Sequence, residues 1–199
     1  MDKREIQRKR IKNYFIESTI YIIKKEGLEK LTTKKIGKRA GFSYATIYNY
    51  FENFNELICI SMIRMAEECN LYVKKNITGN SILERVFSFS DLIIDFNANN
   101  PNIYYPFLSS QVDYTYFEKE SGDHFMHPAY ELMINELEKS DEFKNHSNPQ
   151  IRLIGDILVC LFHSRLSFYI LQKYPKKLDE LKKYMRDEIE MIIKGAICK

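Results

Sequence analysis

Residues 32–57 hold most of the side chains in this chain with a clear chemical use. Thr32, Thr33, Ser43 and Thr46 are hydroxyls, Lys34, Lys35, Lys38 and Arg39 are cations, and Tyr44, Tyr48, Tyr50 and Asn49 combine aromatic rings with an amide. No nucleophile stands beside a base here. These are the residue types that meet a polyanion: lysine and arginine neutralise phosphates, and small, hydroxylated, amide or aromatic side chains reach base edges in a major groove. Asn49 has the amide chemistry that suits adenine. The charge distribution agrees. Residues 1–50 hold 13 Lys/Arg against 5 Asp/Glu, a net of +8, whereas residues 51–199 hold 17 against 22, a net of −5. The overall +3 conceals this asymmetry, which predicts that the first quarter meets a polyanion.

Such residues need a scaffold. The first segment, about 3–26, places Ile11, Phe15, Ser18 and Ile22 on one helical face, widened by Ile16, Ile20 and Ile23, and ends at Gly27. Two short helical pieces follow. Thr32 or Thr33 caps the first, with Ile36 and Ala40 inward, and Gly41 stops it. Ser43 caps the second, which runs to about Tyr50 with Ile47 and Phe51 inward. Two short helices joined through Gly-Phe-Ser have the arithmetic of a helix-turn-helix. The N-termini at Thr33 and Ser43 offer backbone N–H groups to phosphates. Asn53 and Glu56 resemble a capping box and open a helix to about Asn76.

The remainder also reads as helical. Ser81 caps a helix ending at 97–101, a short helix is expected at about 102–112, and Pro128 suits the first turn of one over 128–140. Asn148-Pro149 opens a segment to about Lys173 that is apolar on nearly every side, hence central. The last helix spans 178–197. No strand-like alternation of useful length occurs. The expected class is all-α, with about nine helices: residues 1–52 as a three-helix DNA-binding domain and 53–199 as a larger helical domain.

Other classes find little support. Cys59, Cys69, Cys160 and Cys198 make no CxxC pair, so reduced thiols are expected. The longest purely apolar run, Ile157–Phe162, falls far short of the ~20 residues of a membrane span, and the chain reads as soluble and cytoplasmic. His124, His127 and Glu131, with Asp123, lack a clear third ligand, so no metal or cofactor is expected. No catalytic set is visible, and an enzyme is not expected.

The window TTKKIGKRAGFSYATIYNYFENFNEL, residues 32–57, resembles the DNA-binding signature of TetR/AcrR-family transcriptional regulators. Thr33, Ile36, Ala40, Gly41, Ser43, Thr46, Tyr48, Tyr50, Phe51 and Leu57 stand at matching spacing. The resemblance covers about residues 8–60 closely and the rest in length and helix layout. It implies phosphate contacts at Thr33, Thr46 and Tyr50, and base contacts at Lys34, Tyr44, Ala45 and Tyr48. Lys35, Ser43 and Asn49 complete the expected DNA-binding set. Three positions depart from the family pattern. Gly37 replaces the usual Ala and should cost its helix up to ~1 kcal/mol. Ala45 replaces Gly. Phe54 replaces a common Lys, removing a phosphate contact that Lys24, Lys25, Arg8 or Arg10 would have to restore.

The resemblance further implies a homodimer that reads a palindrome with half-sites about 34–36 Å apart or more. The expected interface is the last two helices, through Ile154, Leu158, Leu161, Leu181, Met185, Ile189 and Ile192. A small-molecule effector pocket would draw on Phe87, Phe107, Phe117, Phe125, Met126, Met133 and Phe162, with Tyr104, Tyr105, Gln111, Tyr114 and His163 as polar fixing points. The expectation is a repressor released from its operator by a largely apolar or aromatic ligand. The alternative is a helical ligand-binding or adaptor protein whose helix-turn-helix reads no specific sequence.

Overall fold

The computed structural model describes residues 2–109, 112–113, 115–116 and 129–198. Among these the regular elements are all helical: α1 (Lys3–Glu26), α2 (Thr33–Ala40), α3 (Phe54–Asn76), α4 (Ile82–Asn99), α5 (Pro101–Tyr104), α6 (Tyr130–Glu138), α7 (Asn148–Ser167) and α8 (Leu178–Ile197), with short 3₁₀ turns between several of them. Two compact units result, one of residues 1–66 and 100–125, the other of 67–99 and 126–199.

In the first unit, α1 starts at a capping box of Asp2 and Glu5 and stops at Gly27, whose φ of 86° suits glycine. Phe15, Ile16, Ile22 and Ile23 are buried along one face. Thr19 is buried there too, and its hydroxyl donates to the Phe15 carbonyl at 2.9 Å, which satisfies a group that would otherwise destabilise the core. Thr32 caps α2 by accepting the Lys35 N–H at 3.3 Å, and Gly41 closes it in the left-handed region at φ 79°.

The next element lies where the sequence places it but is wound more tightly. Residues Tyr44–Asn49 form a 3₁₀ helix, not an α-helix. Ahead of it, the turn is pressed against α2. The Phe42 N–H donates to the Gly37 carbonyl at 2.9 Å. A Cβ on Gly37 would stand 2.8 Å from the Phe42 carbonyl oxygen and 2.9 Å from the Tyr44 nitrogen. Gly37 is therefore more than a weak helix residue: turn backbone occupies the space that a side chain would need.

The start of α3 differs by one residue from the expected capping box. Asn53 accepts the Glu56 N–H at 3.0 Å, but the Glu56 carboxylate returns to the N–H of Glu52. α5 packs on α1, and Asn102 donates to the Lys24 carbonyl at 3.0 Å.

In the second unit α4 packs on α6, α7 and α8, and α7 on α6 and α8. Phe89 and Phe162 stack with centroids 5.7 Å apart, and Met133, Leu158, Leu181, Met185 and Ile189 are buried. Residues Asn148–Gln172 are long and apolar enough to cross a membrane by length and composition. Here Ile154, Leu158, Phe162 and Leu166 of that stretch are buried against protein, whereas Leu153, Ile157, Phe168 and Leu171 are exposed, so the helix has one core face and is not covered on every side as its composition suggests.

Gly37→Ala should destabilise the protein by about 1–3 kcal/mol, opposite in sign to the ~1 kcal/mol gain that helix propensity alone gives alanine. Denaturant midpoints of the two proteins check this.

Candidate nucleic-acid interface

The 3₁₀ segment 44–49 has too few hydrogen bonds to stand alone. It is held from behind by Ile47 and Phe51, both buried, and by the ring of Phe15, which is fully buried. The Phe15 centroid lies 5.4 Å from that of Phe42, 5.9 Å from Tyr50 and 6.3 Å from Phe51. Each such aromatic pair contributes about 0.5–1.5 kcal/mol beyond area burial.

The opposite side faces solvent. Ser43, Tyr44, Ala45, Tyr48 and Asn49 are exposed, Thr46 and Tyr50 half-buried, and Ile47 buried. Tyr44 and Tyr48 keep 53% and 52% of their surface open. The Ser43 and Thr46 hydroxyls lie 2.9 Å apart, so each orients the other at the segment's start. Every residue expected to read bases except Lys34 is therefore on one exposed surface of a single short segment.

The cations around it are not equivalent. Lys34 is exposed and carries no ion pair among the described residues, and it sits on the first turn of α2 beside Thr33. Lys35 pairs with Glu26 at 2.5 Å. Arg39 lies over the Tyr21 ring, 3.2 Å from its centroid. Lys12 lies over the Phe51 ring at 5.1 Å and pairs with Glu56 at 3.8 Å. Glu26 lies on another helix, so no i,i+4 pattern signals that pairing.

A polar clamp in the same unit also escaped the sequence reading. Asn55 donates to the Asp113 carbonyl at 2.8 Å and accepts the Asp113 N–H at 3.1 Å. Asn53 donates to the Tyr116 hydroxyl, and the Tyr105 hydroxyl donates to Glu29 at 3.4 Å. The Cys59 thiol donates to the same Asp113 carbonyl at 3.4 Å. Burial, aided by the nearby Asp113 charge and opposed by the Asn55 bond, pushes Cys59 up to about 12, so it stays a protonated donor. The Thr115 hydroxyl, then its N–H, hold the Asp113 carboxyl below its usual range. Asp113 and Tyr116 are thus tied to the start of α3, just beyond the reading segment.

The expected effector residues are distributed. Tyr104, Tyr105 and Phe107 belong to the first unit, where Tyr104 is buried with its ring 6.3 Å from Phe107. Phe87, Met133, Phe162 and His163 belong to the second. There Phe162 and Met133 are core, while Phe87 lies under Arg186 in a groove of about 490 Å³ that also holds Asp91. Burial lowers His163 below the ordinary imidazole range, leaving it neutral at pH 7 with one donor and one acceptor. Gln111, Tyr114, Phe117, Phe125 and Met126, and also His124 and His127, lie outside the described residues. Among the described residues no group of three or more His, Cys, Asp or Glu could hold a metal.

Five of the seven expected interface residues are placed differently. Ile154, Leu158, Leu181, Met185 and Ile189 are buried in the second unit's own core, and a side chain buried within one chain has no surface to give to another. Leu161 and Ile192 are half-buried. Among the apolar residues that α7 and α8 do expose are Leu153, Ile157 and Met191, joined by Phe168 and Leu171 in the π-helix that continues α7 over Phe168–Gln172.

A helix-turn-helix segment packed on a long first helix, in a chain whose described elements are otherwise all helical, defines the fold class. Residues 15–58 match the family described as bacterial regulatory proteins, tetR family. Solved structures similar to the chain share its fold over nearly the whole length. FadR from Bacillus subtilis in complex with stearoyl-CoA is 13% identical, with 92% of this chain and 98% of that one covered at a TM-score of 0.68. RolR in complex with resorcinol is 12% identical, with coverage of 96% and 94% at 0.70. A TetR transcriptional regulator from Rhodococcus sp. RHA1 is 13% identical, with coverage of 95% and 98% at 0.68. No curated protein sequence matches the chain.

Glu26→Gln should release Lys35 toward DNA. The expected result is tighter DNA binding and a log–log salt slope steeper by up to about one unit. An unchanged slope would show that Lys35 does not reach a phosphate.

Proposed function

We propose that this protein is a homodimeric transcriptional repressor that leaves a palindromic operator when a small, largely apolar or aromatic molecule binds its helical body. The observation that carries the reading is the exposed surface of residues 43–49, anchored from behind by Phe15. Tyr44, Ala45, Tyr48 and Asn49 read base edges. Thr33, Lys34, Thr46 and Tyr50, with Lys35 when Glu26 releases it, hold phosphates. Functionally the chain divides at 52/53, into reading head and ligand-binding and dimerisation body. Operation in the cytoplasm follows from duplex DNA as the partner, and no catalytic role is assigned.

A single head reads only one half-site, so twofold pairing supplies the palindrome. The pairing surface is the exposed apolar stripe Leu153, Ile157, Leu161, Phe168 and Leu171, with Met191 and Ile192 of α8 beside it. The first five recur at helical spacing, and Leu153 and Met191 are 60% and 76% exposed, which a lone soluble chain would not favour. The ligand class rests on the buried Met133 and Phe162 and on relatives of the same fold that hold stearoyl-CoA and resorcinol, one a long acyl chain and one an aromatic ring. Release follows if the ligand prefers a body conformation in which the two heads no longer match the operator spacing. The clamp between 53–59 and 105–116 is the element suited to carry that change to α3.

Selection from a random duplex pool at near-physiological salt tests the core of this. An enriched palindrome is expected. Folded, ligand-free protein that binds with strong salt dependence and no sequence preference would favour an adaptor. Ile157→Asp should leave the fold intact, because the residue is 45% exposed, and yield a monomer by sedimentation with loss of palindrome binding.

A further inference from the structure

At the far end of the reading segment the residue expected to hold a phosphate is the uncharged Tyr50, and position 54, just beyond it, is Phe and not a cation. The structure places a different cation at that end. Arg8, from the second turn of α1, donates from Nη2 to the Asn49 carbonyl at 3.0 Å. Its guanidinium also lies over the Tyr50 ring, 5.3 Å from the centroid. One hydrogen bond and one stacking contact fix it against the last residues of the segment.

The charge on Arg8 is not neutralised. Neighbouring Lys12 has Glu56 and Lys35 has Glu26, whereas Arg8 is exposed and pairs with no carboxylate among the described residues. Its partners are a neutral carbonyl and a ring. A guanidinium has five N–H donors in a rigid fork, and the Asn49 bond uses one of them. Nor does its position favour helix stability: Lys3, Arg4, Arg8, Lys9 and Arg10 crowd the first turns of α1, where the macrodipole disfavours positive charge. Asp2 and Glu5 offset this only at the very start.

We infer that Arg8 is a DNA contact, binding a backbone phosphate at the Asn49–Tyr50 end of the reading segment while holding that end in register. It takes the place of the cation absent at position 54. This rests on the regulator reading above. The two roles separate by chemistry: charge governs the salt slope, and the planar fork governs positioning.

The test compares wild type, Arg8→Gln, Arg8→Lys and, as a reference phosphate contact, Lys34→Gln, on the operator recovered by selection and on a scrambled duplex. Arg8→Gln is expected to flatten the log–log salt slope by about 0.9, so that its deficit against wild type shrinks about 3.5-fold between 50 and 200 mM salt. Arg8→Lys is expected to keep the slope but lower the ratio of operator to scrambled affinity, because it cannot both bond Asn49 and stack on Tyr50 as a fork. A slope unchanged in Arg8→Gln, while Lys34→Gln flattens it, would overturn the proposal and leave Arg8 a structural residue. Wild-type protein that binds no duplex at all would overturn the regulator reading and this inference with it.

Discussion

Everything at the reading surface depends on the packing of one ring. Phe15 is fully buried and lies against Phe42, Tyr50 and Phe51, which stand before, at and after the end of the 3₁₀ segment. A six-residue 3₁₀ helix has no stability of its own, so its shape is that of the surface it rests on. The ring supplies that surface, and α1 supplies the ring. Gly37 completes the arrangement from the other side, by letting turn backbone come within 3 Å of where its side chain would be. The segment is thus clamped between a large side chain and a missing one.

The same unit contains residues from far along the chain. Segment 100–125 packs with residues 1–66, through Asn102 to Lys24, Tyr105 to Glu29, and the paired bonds of Asn55 with Asp113. The Asn55–Asp113 pair is a side-chain amide mimicking a backbone partner, and it satisfies both polar groups of one peptide residue. Such a joint is directional and breaks as a unit, which distinguishes it from apolar packing that yields gradually.

Much of this was legible in the sequence. α1, α2 and α8 start and stop where capping residues, glycines and apolar spacing place them, because each has one buried face and clear end signals. The outward-facing residues of 44–49 were legible for the same reason: Ile47 and Phe51 had to be inward, so Tyr44, Ala45, Tyr48 and Asn49 had to be outward. The winding of 44–49 was not, since it follows from the approach of the turn to Gly37, a tertiary fact. Which side of α7 forms the core was not legible, because that helix is apolar on two sides. Periodicity reports that both sides avoid water but not which is covered by the chain itself, and the strongest positions, Ile154 and Leu158, proved to be the chain's own core. The state of Lys35 was invisible for a similar reason: its partner, Glu26, comes from another helix.

The 3₁₀ winding has a consequence for how substitutions in the segment combine. In an α-helix successive turns are offset, and each reading position addresses its own patch of groove. In a 3₁₀ helix residues i and i+3 eclipse, so Ala45 lies in column with Tyr48, and Thr46 with Asn49. Substitutions at the two members of a column meet on one face and share neighbours, so their effects are not expected to add.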